Sequence, residues 1–137
     1  MDCFEIKSAD AETIRYVQQR TAPSDLVFVG LSRHDKIFIN DVLLYFAMNR
    51  KPATRWYHYD PGLQTTEPIQ RKMVRELQQA KPKLIVIEDI WADWREPNES
   101  AIPSGVTVLD DYIKSAFEPV ATFGANTILR PRPPGQP

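Results

Sequence analysis

A single cysteine, Cys3, leaves this chain with no internal disulfide and no set of thiolates for a metal cage. Its two histidines, His34 and His58, lie on separate segments without zinc-site spacing, and no third His or second Cys completes a ligand set. Glycine is sparse: Gly30 stands alone after its apolar run, so neither a dinucleotide fingerprint nor a phosphate loop can be built around it. The stretch "GLSRH" lacks the closing glycine of a nucleophile elbow, which makes Ser32 a poor nucleophile. Neither sign of charge prevails, with 17 basic residues against 18 acidic ones, and that balance argues against an electrostatic grip on nucleic acid. No apolar run approaches the roughly 20 residues that span a bilayer. The opening "MDCFEIKSAD" lacks the basic flank and apolar core of a signal peptide. These absences predict a water-soluble unit without metal or cofactor, either free-standing or one piece of something larger.

What the chain does have is the composition of an ordinary globular domain, 42% apolar and 26% charged over 137 residues, enough for one continuous core. Apolar periodicity alternates between helical and extended along its length. "SADAETIRYVQQR" offers Ser8 or Asp10 as a cap and places Ala11, Ile14 and Val17 on one helical face. "LVFVG" reads as a strand buried on both sides. "NDVLLYFAMNR" reads as a helix capped by Asn40, ended by "KPAT", and the aromatic "RWYHY" as the next strand. After the turn "DPG", Thr65 or Thr66 caps a helix through "IQRKMVRELQQA", Pro82 stops it, and "LIVIE" is the clearest strand. The loop "DIWADWREPNESAIPSG" leads to a helix in "VTVLDDYIKSAF". The runs "PVATFG" and "ANTILRP" are close enough to form an antiparallel hairpin.

The alternation predicts a single three-layer α/β/α domain with a mainly parallel sheet and a C-terminal antiparallel hairpin. We expect a lead-in or linker over 1–9, the domain over 10–131, and a Pro-rich disordered tail over 132–137.

Ligands of such folds bind beyond the carboxyl ends of the strands. Three loops meet there in the predicted layout, carrying Arg33, His34, Asp35 and Asp41, then His58 and Asp60, then Glu88 and Asp89 at a strand end followed by Trp91 and Trp94. These side chains have the chemistry of an acid/base or binding cluster. The same residue types also satisfy free amides at helix starts and tie loops together. Trp91 and Trp94, with Trp56 nearby, suit either a stacking or docking surface or the roof of a small core. "NES" at Asn98 matches the short N-glycosylation pattern.

Taken together, the segments resemble the C-terminal extramembrane domain of polytopic C-type membrane glycosyltransferases, of the dolichyl-phosphate-mannose mannosyltransferase kind. The resemblance rests on "YVQQRTAPSDLVFVG", on "YFAMNRKPATRWY", on "TTEPIQ" leading to "ELQQAKPKLIVIE", and on the close "LDDYIKSAFEPVATFGANTILRPR". It covers nearly all of residues 10 to 132. It implies an extracytoplasmic domain whose partner is the membrane-embedded part of the same polypeptide, with a glycan, a polyprenyl-phosphate sugar or an acceptor also within reach. The residues resembling a catalytic base in that family lie between transmembrane helices that this chain lacks, so no catalytic residue carries over and the fragment alone is expected to transfer no sugar. The rim loops would then face the membrane part or the acceptor, with Arg33, His34, Asp35, Asp41, His58, Asp60, Trp91 and Trp94 as the binding set.

Two other readings compete with this one. One is a free-standing hydrolase or transferase for a phosphorylated small molecule, using His34, Asp35 and Asp60. The other is a protein-interaction module docking through its tryptophans and aromatic strand.

Overall fold

Val27, Phe28 and Val29 are completely buried because the strand they form is covered on both faces. The computed structural model describes residues 6–36, 39–60, 62–90, 97, 99 and 102–135. Its elements run α1 (Ser8–Arg20), β1 (Leu26–Leu31), α2 (Val42–Met48), β2 (Lys51–Pro52), α3 (Glu67–Ala80), β3 (Leu84–Glu88), α4 (Val108–Ala116), β4 (Phe117–Phe123) and β5 (Asn126–Pro131). The strands form one sheet in the order β2-β1-β3-β5-β4. β1 is parallel to both β2 and β3, whereas β5 is antiparallel to β3 and β4. The fold is therefore the expected α/β type, with a parallel start and an antiparallel close.

Period-two alternation sorts the core into two halves. Val27, Val29, Leu84, Val86 and Ile128 meet Val17 of α1 and Leu44, Tyr45 and Met48 of α2. Phe28, Ile85 and Leu129 meet Met73 and Leu77 of α3 and Leu109 and Ile113 of α4. The hairpin turns at Gly124, whose φ of 58° is the left-handed value that glycine takes without strain; a Cβ there would also lie 2.8 Å from Ala9.

The second strand is not "RWYHY". It is the two-residue β2 just before it, paired Leu26 to Lys51 and Val27 to Pro52, where an edge position tolerates a proline. Within "RWYHY" the core takes Trp56 and Tyr59, three residues apart, while Tyr57 and His58 are exposed, so the alternation of a strand is broken. The short β2 leaves the edge of β1 open at Val29, and side chains close it. The Tyr45 hydroxyl accepts from Val29 N–H at 2.7 Å, and Asn40 Nδ2 donates to Val29 C=O at 3.0 Å and Tyr57 C=O at 2.7 Å.

Asn40 is thus a buried bridge and not the cap of α2. The cap is Asp41, which accepts from Leu44 N–H at 3.1 Å. Nor do Ser8 or Asp10 cap α1: its N-cap position is Lys7, with no side-chain bond. Thr66 occupies the α3 N-cap, but its hydroxyl donates back to Leu63 C=O.

Arg50 is 8% exposed and ties two helix ends together. Its guanidinium donates to Thr21 Oγ1 and C=O at the end of α1, and to Met48 and Asn49 C=O at the end of α2. Cations suit helix C-termini, and a planar fork reaches several carbonyls at once. Arg50→Met should cost about 2–4 kcal/mol in urea unfolding, and Arg50→Lys should recover only part of it, because an ammonium cannot span both helix ends.

Candidate functional site

The carboxyl ends of β1 and β3 are stitched together: Ser32 N–H donates to Glu88 C=O at 3.1 Å, and Ser32 Oγ donates to Asp89 Oδ1 at 2.7 Å. Beyond this seam the polar residues separate by face of the sheet.

On the α3–α4 side stands His34, 2% exposed. Leu31 N–H donates to its Nε2 at 3.1 Å, so that nitrogen carries no proton in this arrangement. The proton lies on Nδ1, which donates to Asp110 Oδ1 at 2.6 Å, while His34 N–H donates to Asp110 Oδ2 at 3.0 Å. His34 C=O accepts from Gln70 Nε2, which also donates to Val106 C=O, and Gln70 Oε1 accepts from Leu109 N–H. Gly30 makes room for the ring: a Cβ there would lie 2.8 Å from His34 Nε2. Arg33 and Asp35 form a bidentate pair at 2.6 and 2.7 Å, and that guanidinium holds the Asp35 carboxyl below the ordinary carboxylate range. Asp35 C=O also accepts from Ser104 N–H at 2.7 Å.

The remaining sequence candidates go elsewhere. His58 and Asp60 approach each other at 3.5 Å with both side chains more than half exposed. Trp91, Trp94 and Asn98 lie outside the described residues. His34, Asp35 and Asp60, the trio that a free-standing enzyme would require, have their side chains engaged with Asp110, Arg33 and His58 respectively. Among the described residues, no group of three or more His, Cys, Asp or Glu is placed to hold a metal ion.

On the α1–α2 side a different set assembles. Leu84, Val86 and Glu88 share one face of β3, so the carboxyl of Glu88 points to the α1–α2 layer and is only 4% exposed. Its cross-strand partner Asn126 donates from Nδ2 to Asp10 Oδ1 at 2.9 Å and to Thr13 Oγ1 at 3.0 Å. Asp41 closes the set from the start of α2. Burial first, then the charges of Asp41 and Asp10, push the Glu88 carboxyl up to about 8, with Lys7 pulling weakly the other way. At neutral pH Glu88 therefore keeps its proton beside Asp41.

Above this set lies a groove of about 580 Å³ lined by Asp10, Asp41, Ile6, Ile14, Leu43 and Phe46. A second hollow of about 760 Å³ borders α2 on its other flank, and Leu43 and Phe46 line both, so they form a ridge between the two. Phe46 is 86% exposed and Leu43 61%. From α2 the core takes Leu44, Tyr45 and Met48 and leaves Leu43 and Phe46 outside. The sequence reading missed Asp110, Gln70 and the role of Glu88. One signal was available for the last, a charge in the buried register of an otherwise apolar strand.

No protein-family model matches the chain, and no curated protein matches it. Among solved structures it is similar to the C-terminal globular domain of an oligosaccharyltransferase from Archaeoglobus fulgidus, with 7% identity and a TM-score of 0.48 over 94% of this chain and 100% of that one. A likeness of this degree carries no residue role and no activity across. No helix among the described residues is long and apolar enough to cross a membrane.

The polar set around His34 should behave as one unit. His34→Ala and Asp110→Ala should each lose about 2–4 kcal/mol in urea unfolding, and the double variant should lose clearly less than their sum. For Glu88, the folded chain binds the extra proton between the ordinary value of 4.5 and about 8. Its contribution is therefore least unfavourable below pH 4.5, and stability falls as pH rises from 4.5 to about 8. Glu88→Gln should match the parent near about pH 5 and exceed it by more than about 1 kcal/mol near about pH 9, read by unfolding at both pH values.

Proposed function

We propose that this chain is a non-catalytic extramembrane domain of an integral membrane glycosyltransferase that draws on a polyprenyl-phosphate sugar. In this reading it sits on the extracytoplasmic side against the membrane-embedded part of its own polypeptide and shapes the path of the acceptor. The observation that carries the reading is the ridge of Leu43 and Phe46, set one helical turn apart on α2 with most of their surface in water. Ile6 and Ile39, 47% and 70% exposed, extend the apolar surface around the start of α2. A ridge of this kind suits a surface that is covered in the assembled protein. Full burial of Leu43 and Phe46 would contribute about 3–6 kcal/mol.

Two further features support the reading. The sequence segments quoted above follow the layout of such domains over nearly the whole chain. The rim groups that an acid/base mechanism would use hold the fold together, as the His34–Asp110 and Arg33–Asp35 bonds do. Within this proposal Arg33, His58 and Asp60, with exposed side-chain edges, are the rim groups available to hydroxyls or phosphate.

The test is to assay the 137-residue chain and the full gene product side by side with polyprenyl-phosphate sugars. The chain alone should show no turnover, and the full product should lose transfer when residues 8–132 are deleted. Sugar transfer by the isolated chain, or a gene product without membrane spans, defeats the proposal. Phe46→Asp and Leu43→Asp should leave the melting temperature of the isolated chain nearly unchanged, since both side chains are exposed, while increasing protease sensitivity and lowering transfer in the full product.

A further inference from the structure

Each helix of this domain ends where a strand begins: α1 leads into β1, α2 into β2, α3 into β3 and α4 into β4, while β5 finishes at the same end of the sheet. Cations gather at that end. Lys51 opens β2 opposite Leu26, Lys83 stands just before β3, Arg130 lies near the end of β5 and Arg132 just after it. Lys81 follows α3, and Lys114 occupies the last turn of α4. Arg132 is half-buried and the other five are exposed. Among the described residues of this end the acids are Asp25, 3.3 Å from Lys83, and Glu118, 2.9 Å from Arg130 and 3.9 Å from Arg132. The acids of the helix starts, Asp10, Asp41, Glu67, Asp110 and Asp111, lie at the opposite end. A chain of nearly balanced charge thus carries its two signs at opposite poles.

Helix dipoles account for part of this, since cations suit helix C-termini, as at Lys81 and Lys114. Strand dipoles largely cancel, so no comparable field draws Lys51, Lys83, Arg130 and Arg132 to the strand ends. Neighbouring strands lie about 5 Å apart, so the row from β2 to β5 is roughly 15 Å long. Its spacing is shorter than the Debye length of about 8 Å at physiological salt, so the fields of adjacent cations add.

We infer that this basic end rests on an anionic lipid surface, with headgroup phosphates against the row of cations. The inference rests on the function proposed above, which brings the domain to a membrane, and adds its orientation. Strand beginnings face the headgroups, the rim at the other end faces water, and the Leu43–Phe46 ridge stays on the flank, where the membrane-embedded part can cover it. Charge complementarity selects the partner, and shape selects among polyanions. A planar surface meets one pole only, whereas a long nucleic acid running past this end also meets the acids beyond it.

The test is sedimentation of the 137-residue chain with vesicles of phosphatidylcholine, with and without phosphatidylglycerol. Partition should be about tenfold or more stronger onto the vesicles containing phosphatidylglycerol. It should vanish as salt rises from about 0.1 M to about 1 M, which shortens the Debye length from about 10 Å to about 3 Å. Lys51→Gln, Lys83→Gln and Lys114→Gln combined should weaken it about tenfold or more. Their side chains are exposed, and the Lys83–Asp25 pair is a surface one, so the melting temperature should stay nearly unchanged. Lys7→Gln, Arg15→Gln and Lys72→Gln combined remove the same charge from exposed positions away from this end and should weaken partition clearly less.

Equal partition onto both kinds of vesicle, persistence at high salt, or equal loss in the two triple variants each overturns the proposal. Tighter binding of a single-stranded oligonucleotide than of the anionic vesicles also overturns it and makes the partner a nucleic acid. Failure here is distinguishable from failure of the function reading. If the vesicle results hold but the gene product has no membrane spans, the lipid-facing pole stands and the assignment to a membrane glycosyltransferase falls. If the full product transfers sugar in a domain-dependent way but the chain shows no preference for anionic vesicles, the assignment stands and the lipid-facing pole falls.

Discussion

An imidazole with both nitrogens committed decides what the rim of this sheet can do. Leu31 N–H occupies His34 Nε2, and Asp110 occupies Nδ1, so the ring has neither a free lone pair nor a free proton to offer a substrate. The bonds do not end at the ring. The carboxylate of Asp110 holds the backbone of His34 and stands in the first turn of α4, where negative charge is favoured. Gln70 then joins the loop to α3 and to the entry of α4. β1, α3 and α4 come from distant parts of the chain and share no local propensity that would align them. The polar set supplies the alignment, and each buried member becomes costly if its partner is withdrawn.

The same accounting explains which parts of the fold were legible beforehand. Helix and strand order followed from apolar periodicity, because every long element buries one face or both. "LIVIE" and the final hairpin carried their own punctuation in Pro82 and Gly124. What resisted reading was decided by single long-range bonds. "RWYHY" has the composition of a strand, yet Asn40 takes the Tyr57 carbonyl and the core claims Trp56 and Tyr59. Asn40 itself looked like a cap, since asparagine before a helical stripe usually is one; the unpaired carbonyl of Val29 was the stronger claimant.

The candidate site was legible only in part for a similar reason. Arg33, Asp35, His34 and Asp41 were identifiable as a cluster because they are close in sequence, but a loop of ten residues can distribute its side chains to both faces of a sheet. His34 went to one helix layer and Asp41 to the other. Asp110, the partner of His34, lies 76 positions away, and nothing in a local window announces it. Glu88 was noticed at its strand end, but its meaning depends on Asp10, which reaches the same corner through α1 and Asn126.

Division of the rim between two layers leads to a physical contrast. On the α3–α4 side His34, Asp110 and Gln70 satisfy one another and Arg33 pairs with Asp35, so this polar set is self-sufficient. On the α1–α2 side the protonated Glu88 meets Asp41 under exposed apolar side chains. Folding alone would favour glutamine or an aliphatic residue at position 88, where a carboxyl must hold its proton to be tolerated. It would equally favour polar residues at 43 and 46, where leucine and phenylalanine gain nothing from the monomer. Two local conflicts, one of charge and one of apolar exposure, thus fall at the same corner. A sequence that is otherwise consistent in its core places its exceptions where a second surface belongs.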